Sequence, residues 1–188
     1  MVEKPVDTEA AILESAVALL RERTFEDITY LDLAEAAAVS ERTIYRRFPT
    51  RSHLLEALAR WIESQQFPLP QIRTPEEFRA AVRERFRAYE RAPGCAFVAA
   101  RGASLSPTME SAPTPLARAV FAMLTTAAPT LNSRDTQRIA ATAQYFASPI
   151  FWARMRTGFD MNADETFEAF DRAMSRAMAI VPQVSWAS

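Results

Sequence analysis

The sequence predicts an all-α protein, and three observations carry that expectation. Apolar residues recur at three- and four-residue spacing along most of the chain, with no sustained alternation of the kind a strand needs. Ser, Thr or Asn stands ahead of several of these periodic segments, where it can cap a helix N-terminus. Only 3 glycines fall in 188 residues, while 12 prolines stand mostly between the segments and punctuate them.

The pattern reads as about nine helices, with no strand and no internal repeat. The first runs from Thr8 to Arg23, with Ile12, Leu13, Ala16, Val17 and Leu20 on one stripe. A second opens at Thr29, which caps it, with Asp32 near the positive end of its dipole; Leu33, Ala34 and Ala37 are its packing positions. Ser40 caps a third, from Glu41 to Phe48, which Pro49 stops because proline has no amide hydrogen. The fourth spans Arg51 to Gln66 and carries Leu54, Leu55, Leu58, Trp61 and Ile62.

Pro68 and Pro70 then break the chain, which predicts two domains, 1–66 and 67–188. Thr74-Pro75-Glu76-Glu77 is a capping box opening a fifth helix with Phe78, Val82, Phe86 and Tyr89 inward. A short sixth helix covers Ala96 to Ala103, and a Ser/Pro-rich loop runs from Ser104 to Pro115. The seventh spans Leu116 to Ala128. The eighth runs from Ser133 to Gly158 through Pro149, which either opens space between packed helices or bends the helix round the core. Asn162 caps the ninth, which reaches Ile180.

Composition narrows the function. The 49% hydrophobic content suits a real core and the 24% charged content a soluble protein. One His and one Cys leave no material for a zinc site of those residues, so no metal or cofactor is expected. An enzyme would need a cluster of tuned acids, bases or nucleophiles that these residues do not supply. A lone Cys95 excludes an intramolecular disulfide and, with no apolar leader or membrane-length run, points to the cytoplasm. Cys95 itself reads as a small buried hydrophobe.

The net charge of -1 does not advertise nucleic-acid binding. Locally the field differs: five arginines lie between Arg42 and Arg60, with Glu56 the only acid among them. A basic patch on an acidic domain favours oriented binding to DNA over indiscriminate adhesion.

The second and third helices, joined by a tight turn, have the build of a helix-turn-helix, whose second helix enters the major groove. At about 100° per residue, Ile44 and Phe48 share the inward face, and Arg42 and Arg46 project opposite. Thr43 and Tyr45 sit on the flanks and Arg47 nearer the packed side. Arginine can bond both O6 and N7 of guanine. Thr43 and Tyr45 can reach phosphates, and Arg51, opening the next helix, is placed to add one more such contact. His53 is read either as a neighbour of phosphate or as simply exposed. The expected DNA-contacting set is Thr29, Arg42, Thr43, Tyr45, Arg46, Arg47 and Arg51.

These residues resemble the tetracycline-repressor (TetR-like) family of bacterial transcription regulators. The matching positions are Thr29, Leu33, Ala34, Ala37, Val39, Ser40, Thr43, Ile44, Tyr45, Phe48 and Arg51, and the likeness is specific over residues 8 to 60. It implies a homodimer with two DNA-reading and two ligand-sensing domains, on a palindromic double-stranded operator. The chain reads as a repressor rather than an activator, and the likeness implies release when a small apolar or aromatic molecule among helices five to eight displaces the fourth. The alternative is a regulator or interaction module with no small-molecule inducer, controlled by abundance or a protein partner. Two positions depart from the family: its turn glycine is Ala38 here, and its glycine before Phe25 is Thr24. A left-handed turn at either would cost about 1–2 kcal/mol.

Outside the reading domain, the Arg79, Arg83, Arg87 and Arg91 stripe is interleaved with Glu76, Glu77, Glu84 and Glu90 and reads as a solvated, salt-bridged face. Phe121, Tyr145, Phe146, Phe151, Trp152 and Phe159 read first as core. The family likeness adds a pocket role for Phe121, Tyr145 and Trp152, with Arg101, Arg118 and Gln144 as polar anchors. Phe167, Phe170, Met174, Ala177, Met178 and Val181 form an apolar stripe on the last helix, which predicts a dimer interface built from the eighth and ninth helices.

Overall fold

The computed structural model of the protein describes residues 7–105, 114–179 and 186. Val181 and most of the expected loop of 104–115 lie outside them. The described residues form ten α-helices and one 3₁₀ turn. In chain order these are α1 (Thr8–Leu19), the turn Phe25–Asp27, α2 (Tyr30–Ala36), α3 (Glu41–Arg47), α4 (Arg51–Gln65), α5 (Pro75–Arg91), α6 (Pro93–Leu105), α7 (Pro115–Ala127), α8 (Ser133–Phe146), α9 (Pro149–Phe159) and α10 (Ala163–Met178).

Side-chain caps set most of the starts. Asp7, Thr29, Ser40, Thr50, Thr114, Asn132, Ser148 and Asn162 each accept from an amide in the first turn they precede. This satisfies one of the donors a helix N-terminus leaves without a partner. Asp32 closes a capping box on Thr29, whose hydroxyl and amide hold its carboxyl well below the usual range, at about 2, with Arg23 adding to the shift. The cap therefore keeps its charge at any ordinary pH.

Pro149 does not lie inside a kinked helix, as the sequence suggested. The chain ends α8 at Phe146, and Pro149 is the first residue of α9 behind the Ser148 cap. There its missing amide hydrogen breaks no helical bond. One expected long helix is therefore two, which raises the total to ten.

Residues group into two compact units. Among the described residues, the first contains 7–66 and 92–105, the second 67–91, 114–179 and 186. The chain passes from the first unit to the second after residue 66, and α6 returns to pack with α4 of the first unit. Small residues permit that. A Cβ on Gly102 would overlap the Cβ of Ala59 on α4, and one on Gly94 would overlap the carbonyl of Leu20.

In the second unit α5 supplies the central apolar face, with Phe78, Val82, Phe86 and Tyr89 buried. Phe86 meets Phe151 and Phe170, and Tyr89 meets Phe67 and Trp152, with ring centroids 4.8–6.3 Å apart. The arginine stripe of α5 is paired less within its own helix than expected. Arg79 grips Asp171 of α10 at 2.5 and 2.8 Å, Arg87 reaches Asp164 at 2.8 Å, and Arg83 lies over the Phe167 ring at 4.2 Å. Only Arg91 turns to an expected acid, Glu84, at 2.6 Å. The stripe thus fastens α10 to α5.

Candidate nucleic-acid interface

The tight turn between α2 and α3 is a Schellman closure. The amide of Val39 donates to Ala34 O at 2.9 Å and that of Ala38 to Glu35 O at 3.2 Å. Such a closure needs a left-handed residue, and Ala38 takes that part with φ 52°. Thr24, the other departure, sits at φ -78° and ψ 159°, ordinary extended backbone, and bonds Asp27 at 2.7 Å through its hydroxyl. The backbone penalty expected at two positions therefore falls only on Ala38. Ala38→Gly is expected to raise stability by about 1 kcal/mol, seen as a higher chemical-denaturation midpoint with an unchanged slope. An unchanged midpoint would mean the turn carries no strain.

Helix α3 shows the facing that its spacing predicts. Ile44 and Phe48 are buried, while Arg42, Arg46 and Tyr45 are exposed, Tyr45 by 54%. Thr43 is half-buried, its hydroxyl 2.9 Å from that of the Ser40 cap. Arg47 leans toward α1, where its guanidinium lies 4.0 Å from Glu9, a weak surface pair. Thr29 is exposed but spends its hydroxyl on Asp32 at 2.6 Å.

Arg51 requires a correction. Expected to touch phosphate, its side chain instead turns inward. Nη1 donates to Ile28 O at 2.7 Å, Nη2 donates to Phe25 O, and the guanidinium lies 4.1 Å from the Phe25 ring centre. Burial pulls its pKa below the ordinary value. Sequence facing missed this because α4 starts where the chain turns, so helical periodicity does not extend back to the 25–28 segment.

Two further residues of the reading domain, Tyr30 and Leu31, carry no cue in the spacing of α3. Tyr30 is buried, donates its hydroxyl to Phe48 O at 2.8 Å and receives Tyr45 edge-on at 4.6 Å. Leu31 is 52% exposed on α2, an apolar side chain on the reading domain. Its place off the Leu33–Ala34 stripe was the signal that could have found it.

The expected pocket residues do not gather. Arg101, on α6, pairs with Glu26 inside the first unit. In the second unit, Phe121, Tyr145 and Arg118 are exposed, Gln144 is half-buried, and Trp152 is packed in the core beside Tyr89. Phe167, Phe170, Met174 and Met178, expected at a dimer interface, are all buried within the subunit, where α10 lies against α5 and α8. The apolar stripe was real; its partner is the chain's own core.

Residues 12–58 match the family model of bacterial regulatory proteins of the tetR family. No curated protein matches the chain. Among solved structures, a TetR transcriptional regulator from Rhodococcus sp. RHA1 is similar at 19% identity and TM-score 0.66, over 91% of this chain and 94% of that one. A second TetR-like regulator from the same organism gives 16% and 0.58, over 95% and 99%. A tetR-family regulator from Streptomyces coelicolor gives 14% and 0.59, over 95% and 85%. At these identities the structural likeness speaks for the fold.

Proposed function

Because the chain belongs, by its N-terminal domain, to the TetR family of bacterial DNA-binding transcriptional regulators, we propose that it acts as a homodimeric repressor of a palindromic operator. The observation that carries this reading is the division of α3 into a buried Ile44–Phe48 face and an exposed Arg42–Arg46 face. On a duplex lying against the exposed face, these two arginines meet base edges first, and guanine offers each a two-point acceptor. Thr43, Tyr45 and Arg47 flank them within reach of phosphate, and Thr29 marks the start of the supporting helix. Two-fold symmetry places two such helices about one helical turn apart along the duplex, or a multiple of it.

With the α10 stripe buried, the dimer contact falls to the outward faces of α8 and α10. Tyr145 is 54% exposed there, and Arg138, Glu168 and Arg172 also face outward. Release by a small apolar or aromatic molecule remains part of the reading through the family likeness. Binding is reciprocal, so an inducer must bind the operator complex more weakly by the factor with which it loosens DNA. A second reading, control by abundance or a protein partner, is favoured by the dispersal of the expected pocket residues between exposed surface and filled core.

Arg46→Ala tests the reading directly. It is expected to lower affinity for the best operator by about 1–3 kcal/mol and to relax preference at one base pair per half-site. Gel-shift titration on operator variants measures both. Equal losses on every sequence would show that Arg46 does not read bases.

A further inference from the structure

We propose that Arg51 is a positioning residue for DNA recognition, a latch that sets the pose of α3 through Phe25, Ile28 and Tyr30. The inference rests on the DNA-reading role of α3 given above. Arg51 is the first residue of α4, and the nitrogens that would fork a phosphate are closed on the carbonyls of Phe25 and Ile28. Its plane lies on the Phe25 ring at 4.1 Å, and its centre is 5.9 Å from the Tyr30 ring. The two carbonyls belong to the turn that leads into the Thr29 cap, so the latch fixes where α2 begins.

Tyr30, the first residue of α2, carries that position to the reading helix. Its hydroxyl holds Phe48 O at the end of α3 at 2.8 Å, and its ring takes Tyr45 of α3 edge-on at 4.6 Å. Helix α3 has only seven residues, with Ile44 the one buried among them. A helix so short needs ties beyond its own packing. Base-edge hydrogen bonds tolerate errors of only about 0.5 Å, so a shifted 25–28 turn would misplace Arg42 and Arg46 without touching them.

Lysine separates a latch from a clamp. Its ammonium can replace a phosphate contact, but it cannot bond two carbonyls in one plane while stacking on a ring. The experiment uses full-length protein and the duplex that the wild type enriches from a random pool. Arg51→Lys, Phe25→Leu and the double variant are titrated against that duplex and its single-base variants at several salt concentrations. Circular dichroism identifies the temperature at which each variant is folded.

The latch predicts that Arg51→Lys loses about tenfold or more in discrimination between these duplexes. It predicts an unchanged slope of log affinity against log salt, and no further loss in the double variant because Phe25 and Arg51 act as one unit. Lysine restoring wild-type discrimination, or a slope reduced by about 1 as for a lost phosphate contact, would overturn it. So would a lower melting temperature with discrimination intact, which marks a merely structural residue. If Arg51→Lys does not fold, Phe25→Leu decides alone: intact discrimination in that variant overturns the latch. Failure of the DNA-reading role appears elsewhere, as a wild type that enriches no duplex.

Discussion

Met174→Arg is expected to unfold the second unit rather than to part a dimer. Met174 is 1% exposed, on the face of α10 that packs inside the subunit with Phe170 and Met178. An arginine there would have to bury its charge among apolar neighbours or force the helix off the core. Leaving a buried charge without compensation costs on the order of 3–5 kcal/mol, a large share of the stability of a domain this size. Thermal melting by circular dichroism should show a strongly lowered transition, with loss of operator binding as a consequence. A variant that melts like the wild type yet scatters light as a folded monomer would restore this stripe to the dimer interface.

Gly102→Ala should destabilise the first unit by about 1–3 kcal/mol, the range for overpacking a close contact. The added methyl would overlap the Cβ of Ala59, so α6 and α4 must separate along their whole contact. Removing the opposing methyl gives the control. Ala59→Gly alone loses helix propensity by about 1 kcal/mol, but in the double variant it should recover part of the loss from Gly102→Ala. The two changes are therefore predicted to be non-additive in the restoring direction. Additive losses would show that the helices yield freely and that the glycine is not required by packing.

The local signals were the most legible part of the sequence. Thr29, Ser40 and Asn162 cap the helices they were expected to cap, and Ile44 and Phe48 face inward, because caps and facing depend on a few neighbouring residues. What the sequence hid was which element each apolar stripe meets. The α10 stripe has the same spacing whether another subunit or α5 covers it, and only the fold distinguishes them. The inward turn of Arg51 is hidden for the same reason: its carbonyl partners lie 23 and 26 residues earlier in the chain. Pro149 shows a smaller limit, since a proline inside a periodic pattern fits a kink as well as a fresh start. Ser148 just before it was the cue for the second.

Selection of bound duplexes from a random pool tests the central claim most directly, that α3 reads base edges from a two-fold symmetric protein. Wild-type protein should enrich an inverted repeat with guanine in each half-site, its halves about one helical turn apart or a multiple of it. The same selection with Arg46→Ala should return the repeat with that guanine lost. Enrichment of a single unpaired half-site, or of no sequence above the starting pool, would contradict the account.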